Sequence, residues 1–287
     1  MILMTVGFIV DLEFTWGFQS RVAGLSKTSP SFYYPPPTVI LGGIAESIAR
    51  KHEIGESDGK KLIPALSKNL LAIGVRPLNC IPITYQALSR IIAIREAGGV
   101  KYPTPKPKYI FKSFDAPARG HTILSTIDGD APQMKLFIVF KSDEINFNGR
   151  KLKLSENGFW RIHRLGSKES LVSVLDVTRI DSEMLNEIRN SITETTYSFP
   201  IGGGFNIALI KCMGLWREEE YIDPFRVEGY DERENPVVNY MLGRKLIKFK
   251  MPLKSVEDFM GKTACILKIQ GNVVAYKYGE EVVIGYG

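Results

Sequence analysis

The side chains of this 287-residue sequence best suited to moving protons near neutral pH are His52, His121 and His163. Two of them stand among cations: His121 is two residues from Arg119, and His163 lies between Arg161 and Arg164. A histidine to take a 2′-hydroxyl proton, with a cation to hold the charge of a phosphorane-like transition state, is what a metal-independent endoribonuclease needs. The carboxylates offer no comparable set. Asp11 and Glu13 share one face of a strand without a second acidic partner, and Asp128-Gly129-Asp130 reads as a turn. Cys80, Cys212 and Cys265 are far apart, odd in number and part of no CxxC or Cys/His cluster, so the expectation is three buried thiols with no disulfide framework and no zinc site. No metal or cofactor is expected.

A second kind of chemistry is written in turns and loops. Arg161-x-His163-Arg164-Leu165-Gly166-Ser167-Lys168 joins a glycine turn to a hydroxyl and flanking cations. Free backbone N–H groups beside cations suit a phosphate or a sugar edge, and the same residues also read as a basic hairpin tip in water. Gly202-Gly203-Gly204 lets backbone approach a ligand closely, lacks the Lys-Ser/Thr of a P-loop, and reads equally as a plain turn. Between residues 14 and 34, Trp16, Phe18, Phe32, Tyr33 and Tyr34 flank Arg21 and Lys27. Rings with cations are what single-stranded bases and phosphates require; since some of these rings must be core, Arg21 and Lys27 are the favoured contacts. Over 98–132, prolines alternate with Lys101, Lys106, Lys108, Lys112 and Arg119 around Tyr102, Tyr109, Phe111 and Phe114. That stretch is too aromatic for a linker and too proline-rich for a helix, and reads as an extended protrusion.

The elements that must position these groups follow from periodicity. Residues 2–14 are strand-like, Pro35-Pro36-Pro37 is a rigid ramp, and Thr38 is placed to cap a helix that runs to Lys51. A short helix is expected over 62–73, ended by Gly74, and strands over 79–85 and 87–94, with Pro82 marking an edge. Residues 134–141 are a strand, Asn148-Gly149 a hairpin turn, 159–166 strand into loop, 171–180 a strand and 181–190 a helix capped by Asp181. Strands follow at 206–213, 245–251, 264–269 and 273–278, and 282–284 closes an edge. About ten strands against three or four helices make an α+β chain.

Charge points to partners. The net charge of +6 favours a polyanion, and the excess is concentrated: residues 95–121 carry six Lys/Arg against two acids, 150–168 six against one, and 243–254 five against none. Residues 216–235 invert the sign, with eight acids against three arginines, which suits a basic protein neighbour. The apolar start runs straight into Asp11 and Glu13 with no basic leader, and no run of about 18 apolar residues occurs, so a soluble cytoplasmic protein without membrane contact is expected.

Trp16-Gly17-Phe18-x-x-Arg21, the Pro35-Pro36-Pro37-Thr38 ramp and the glycine-containing helix after it resemble the N-terminus of the Cas-five family of CRISPR-associated RAMP proteins. Leu165-Gly166-Ser167-Lys168 is similar to that family's mid-chain Leu-Gly-x-basic turn. The resemblance, closest to the type I-A branch, implies a ferredoxin-like, RRM-related domain over 1–215, with a thumb-like insertion at about 95–132 and a β-rich C-terminal region over 216–287. It implies a non-catalytic subunit of the type I surveillance complex (Cascade) of antiviral defence. Such a subunit grips the 5′ handle of the guide RNA (crRNA) and caps the filament of the backbone (Cas-seven type) subunit beside the large subunit. The RNA contacts it implies are Trp16, Phe18, Arg21, Lys27, Lys106, Lys108, Lys112, Arg119, His121, Arg161, Arg164, Ser167, Lys168, Gly202, Gly203 and Gly204. The family's type I-C nucleases use a Tyr-Lys-His set whose Lys-His pair lies far downstream; here the one such pair, Lys51-His52, ends the first helix, so that set does not carry over. Two other readings are a nuclease that processes guide RNA, and a scaffold whose acidic 216–235 segment docks basic partners.

Overall fold

The structure, a computed structural model, describes residues 4–20, 22, 30–88, 93–95, 113–115, 118–126, 129–228, 236–253 and 262–287. In chain order its elements are β1 (Val6–Phe14), β2 (Gly17–Phe18), α1 (Pro37–Lys51), α2 (Glu56–Gly59), α3 (Leu62–Asn69), β3 (Leu70–Pro77), β4 (Cys80–Leu88), β5 (Ala93–Arg95), β6 (Ser113–Asp115) and β7 (Ala118–Thr126). Then come β8 (Gln133–Phe140), β9 (Glu144–Phe147), β10 (Arg150–Lys153), α4 (Glu156–Trp160), β11 (Val172–Asp181), β12 (Asn186–Arg189) and β13 (Ile192–Thr195). The chain closes with β14 (Phe199–Ile201), β15 (Asn206–Met213), β16 (Trp216–Ile222), α5 (Pro236–Met241), β17 (Leu246–Pro252), β18 (Ala264–Gln270), β19 (Val273–Tyr278) and β20 (Glu281–Tyr286). The fold is α+β and strand-rich. Among the described residues, no helix is long and apolar enough to cross a membrane.

A seven-stranded antiparallel sheet, in the order β11-β1-β8-β3-β20-β19-β12, carries the molecule. Of β1, β3, β8 and β11, the fourth in the chain lies first, followed by the first, third and second, with α1–α3 between β1 and β3 and α4 between β8 and β11. The alternation in β1 explains its place inside the sheet, between β11 and β8. Val6, Phe8, Val10, Leu12 and Phe14 are buried in the larger core with α1 and α3, and Phe8 stacks on Phe159 of α4 with ring centroids 4.2 Å apart. Ile9 faces the other way, into a second core with Phe137, Ile180, Tyr197 and Val283. Full burial of rings such as Phe8 and Phe137 contributes about 1.5–3 kcal/mol each, so both faces of this sheet stabilise the fold.

Several elements differ from the sequence reading. Pro36, not Thr38, stands at the cap of α1: its carbonyl accepts from Val39 and Ile40, and Pro37, with no N–H to satisfy, is the first helical residue. Gly74 does not end a helix but lies inside β3, where a Cβ would come within 2.9 Å of both Tyr197 Cβ and Val283 Cγ2. Phe159 and Trp160, expected to open a strand over 159–166, instead end α4, and Phe159 reaches Phe8 from that helical turn. The expected helix over 181–190 is instead the end of β11, a turn and β12: Leu185 is buried in the second core, Met184 is exposed, and Ile188 pairs with Ala275. β20 sits between β3 and β19, inside the sheet and not at its edge. Cys212 and Cys265 face each other across β15 and β18, Cα atoms 4.1 Å apart, and form a disulfide; Cys80 alone is free. Burial pushes the Cys80 thiol up to about 12.

Pro82 does lie on an edge strand, since β7 is the centre of the ribbon β2-β7-β4, and Asn148 and Gly149, both at positive φ, turn β9 into β10. Strands on the two sides of the expected 215/216 boundary share sheets: β18 joins β13 and β15, and β17 joins β14 and β16.

Candidate nucleic-acid interface

Two stretches far apart in sequence are stitched together. After β1 the chain leaves the sheet through Thr15 and Trp16 to Gln19, and residues 163–172 fold back as a hairpin loop closed by Val172 N–H to His163 O and Leu165 N–H to Ser170 O, 3.0 Å each. Ser167 N–H donates to Gln19 O at 2.9 Å, Gln19 N–H to Ser170 Oγ at 2.9 Å, Trp16 Nε1–H to Glu169 O at 3.0 Å and Thr15 N–H to Leu171 O at 3.3 Å. Leu165 is the anchor, fully buried in the larger core. Helix α1 admits it because residue 43 is glycine: a Cβ there would lie 2.9 Å from Leu165 Cδ2 and 3.2 Å from Arg164 O. Gly166, at φ +130°, turns the chain where a Cβ would lie 2.7 Å from Gln19 O.

This geometry changes the chemistry expected of the turn. The N–H groups of Leu165, Ser167 and Ser170 are spent within the protein, and the Ser167 hydroxyl donates to Glu169 Oε2 at 2.9 Å, so these four donors do not serve a phosphate. Its cations remain. Glu46 of α1 accepts from Arg164 at 3.1 Å and from Arg50 at 3.0 Å, with His163 Nε2 at 3.9 Å, leaving one excess positive charge among the two arginines and the carboxylate. Lys168 stands exposed at the loop tip and Arg161 exposed at the end of α4.

Beside this loop lies the ribbon. Gly17 and Phe18 of β2 pair with Ile123 and Thr122 of β7, and β7 pairs along its length with β4, placing Tyr85 opposite His121 and Ile83 opposite Ile123. The Tyr85 and His121 rings are 5.4 Å apart at 22°, and the Trp16 ring is 5.6 Å from His121. Tyr85 was not singled out from the sequence; the signal that could have found it is the alternation from Ile81 to Tyr85 on an edge strand.

The other expected contacts are distributed differently. Phe18 is fully buried and its ring is core, so it is corrected from an RNA contact to a packing residue. Arg119 stands on β7 opposite Ala87. Arg21, Lys27, Lys106, Lys108 and Lys112, and with them most of the expected protrusion, lie outside the described residues. The described end of that stretch, 118–126, is regular strand. Gly202, Gly203 and Gly204, all at positive φ, make the tight exposed turn from β14 into β15. The Tyr286 hydroxyl donates to Gly203 O at 3.3 Å and Phe205 N–H to Gly202 O at 3.0 Å, and no hydrogen bond links these glycines to the Trp16 loop among the described residues.

The acidic segment is turned on the chain's own basic one. β16 pairs with β17 so that Glu218 faces Lys250 and Glu220 faces Lys248, with Glu218 and Lys250 3.7 Å apart; Glu228 pairs with Lys245. Half-buried Glu219 accepts the Tyr33 N–H at 3.0 Å and the Tyr221 hydroxyl, and burial raises its carboxyl above the ordinary 4.5 against those lowering bonds. Arg217 covers the Tyr33 ring at 3.9 Å, and buried Tyr34 donates to Pro252 O, so the proline ramp is fastened to this sheet.

No protein-family model matches the chain, and no curated protein does. Among solved structures, the crystal structure of a CRISPR protein from Archaeoglobus fulgidus is similar: 38% sequence identity, a TM-score of 0.69, and coverage of 98% of this chain and 99% of that one.

Proposed function

The chain belongs to the CRISPR-associated proteins, and from that premise we propose that it is a non-catalytic RNA-binding subunit of a type I surveillance complex, of the Cas-five family. In this reading it grips the 5′ handle of the guide RNA and packs against the backbone (Cas-seven type) subunit and the large subunit. The observation that carries it is the stitching of Trp16–Gln19 to Leu165–Ser170. These are the two stretches that resemble the family, and they are hydrogen-bonded to each other, with Lys168 exposed at the loop tip and half-buried Arg164 beside Leu165. The spatial order of β11, β1, β8 and β3, with helices in both crossovers, supports a ferredoxin-like domain. The pairing of β16 with β17 counts against a scaffold that offers 216–235 to basic partners, since part of that charge is already met.

A second reading, a guide-RNA-processing endoribonuclease, is favoured by one observation, the tyrosine stacked on His121. One experiment separates the two. The protein is titrated with single-stranded RNA of repeat sequence at several salt concentrations, and the RNA is examined afterwards. The expected result is salt-sensitive binding, with a log–log slope of about 0.7 per neutralised phosphate, and intact RNA. Lys168→Glu should weaken binding and lower the slope by about 0.7 without unfolding the protein. Arg164 is the poorer test, because an acid there would face Glu46. A slope near zero overturns the RNA-binding reading. Cleavage that disappears with a 2′-deoxy substitution and in His121→Ala establishes the nuclease.

A further inference from the structure

Side chains alternate across the β4–β7 ribbon. Pro82, Thr122 and Leu124 are buried on its inner face, so Ile83, Tyr85, His121 and Ile123 point outward. Ile83 is 51% exposed, Tyr85 41% and Ile123 39%, a large apolar and aromatic area to leave in water on a narrow ribbon. Three rings run across it in a row: Trp16 beside β2, His121 on the central β7, Tyr85 on the edge strand β4. The Tyr85 and His121 rings are nearly parallel, while Trp16 is tilted by 54° and held by its indole N–H to Glu169 O.

We propose that this row is a stacking platform for one unpaired nucleobase of single-stranded RNA, with Tyr85 as the ring that receives it. The proposal deepens the RNA-binding reading above and rests on it. A tyrosine already stacked on one side has lost much of its rotamer freedom, so a base that adds to the stack orders little that is not already ordered. The cross-strand pair Ile83 and Ile123 continues the same face as an apolar floor. Charge selects the polyanion. The inner end of the row is tied to the loop that carries Lys168, and the sequence joining β4 to β7, residues 89–117, has six Lys/Arg against two acids. Stacking on a π-face tolerates any base, so Tyr85 contributes affinity and places one nucleotide without reading its identity.

The test uses the full chain and single-stranded RNA of CRISPR repeat sequence with 2-aminopurine placed at successive positions. In the parent and in Tyr85→Phe, the fluorescence of one position should be quenched on binding. In Tyr85→Leu, which keeps the apolar bulk, and in Tyr85→Ala, that quenching should vanish. The Kd should rise about 5- to 150-fold, with the salt slope unchanged because no charge is altered. Far-UV circular dichroism and thermal unfolding should match the parent, as the side chain is on an outward face. If Tyr85→Leu binds and quenches like the parent, the platform is refuted, and the exposed face is an apolar surface for a protein neighbour. If the parent itself binds no RNA, the reading of the previous section falls, and this one with it.

Discussion

Replacing Gly166 by alanine should unfasten the two stretches that form the candidate interface. At φ +130° a residue with a Cβ is strained by about 1–3 kcal/mol. The new methyl would lie 2.7 Å from Gln19 O and 2.8 Å from Ser170 Oγ, and the first is backbone that cannot yield without moving the loop. Relief therefore stretches the bonds from Ser167 N–H to Gln19 O and from Gln19 N–H to Ser170 Oγ, worth about 0.5–1.5 kcal/mol each. Together the loss is about 2–6 kcal/mol, read as a lower urea midpoint at unchanged slope. Gly55→Ala is the control, at φ −64° with nothing within 4 Å of the added methyl. RNA binding by Gly166→Ala should weaken under conditions where it is still folded, because Lys168 and Trp16 lose their common frame. If Gly166→Ala unfolds within about 0.5 kcal/mol of Gly55→Ala and binds repeat RNA equally well, the loop is not held as described and the positional argument is wrong.

The disulfide closes a separation of 53 residues, so removing it as Cys212→Ser/Cys265→Ser should cost about 4 kcal/mol, and thiol titration in denaturant should find one free thiol before reduction and three after; three before reduction would refute the pairing. Glu219 has its folded pKa raised above 4.5 by burial, so the folded state binds that proton more tightly than the unfolded chain. Its contribution therefore rises as pH falls through the raised value and is lost as pH rises through it. Glu219→Gln, which can still accept from the Tyr33 N–H, should be less pH-dependent than the parent just above pH 4.5 and no less stable at pH 7; identical pH profiles would remove the assignment.

What could be read in advance was local. β1, β8, β11 and the Asn148-Gly149 hairpin follow from alternation and turn chemistry carried by neighbouring residues, and the ramp of three prolines marks the start of α1 to within two residues. What escaped depends on partners distant in sequence. Leu185 and Ile188 have the spacing of a helix face, yet one fills the second core and the other pairs with Ala275, 87 positions on, and that sheet decides the backbone. Gly74 looks like a helix stop until Tyr197 and Val283 occupy the space where a Cβ would go.

The candidate interface shows the same division of labour more sharply. The residue types of the Leu165–Lys168 turn announce a phosphate site, but whether its N–H groups are free depends on Gln19 and Ser170, and the structure spends two of them, those of Leu165 and Ser167, on holding the loop in place. The turn therefore serves first as a fastener, and its outward cations act from a position that Gly43, Leu165 and Gly166 determine. Tyr85 is the converse case. The alternation from Ile81 to Tyr85 only places it on one face of a strand, and it becomes a candidate contact because the register of β4 on β7 sets it against His121 and leaves it exposed.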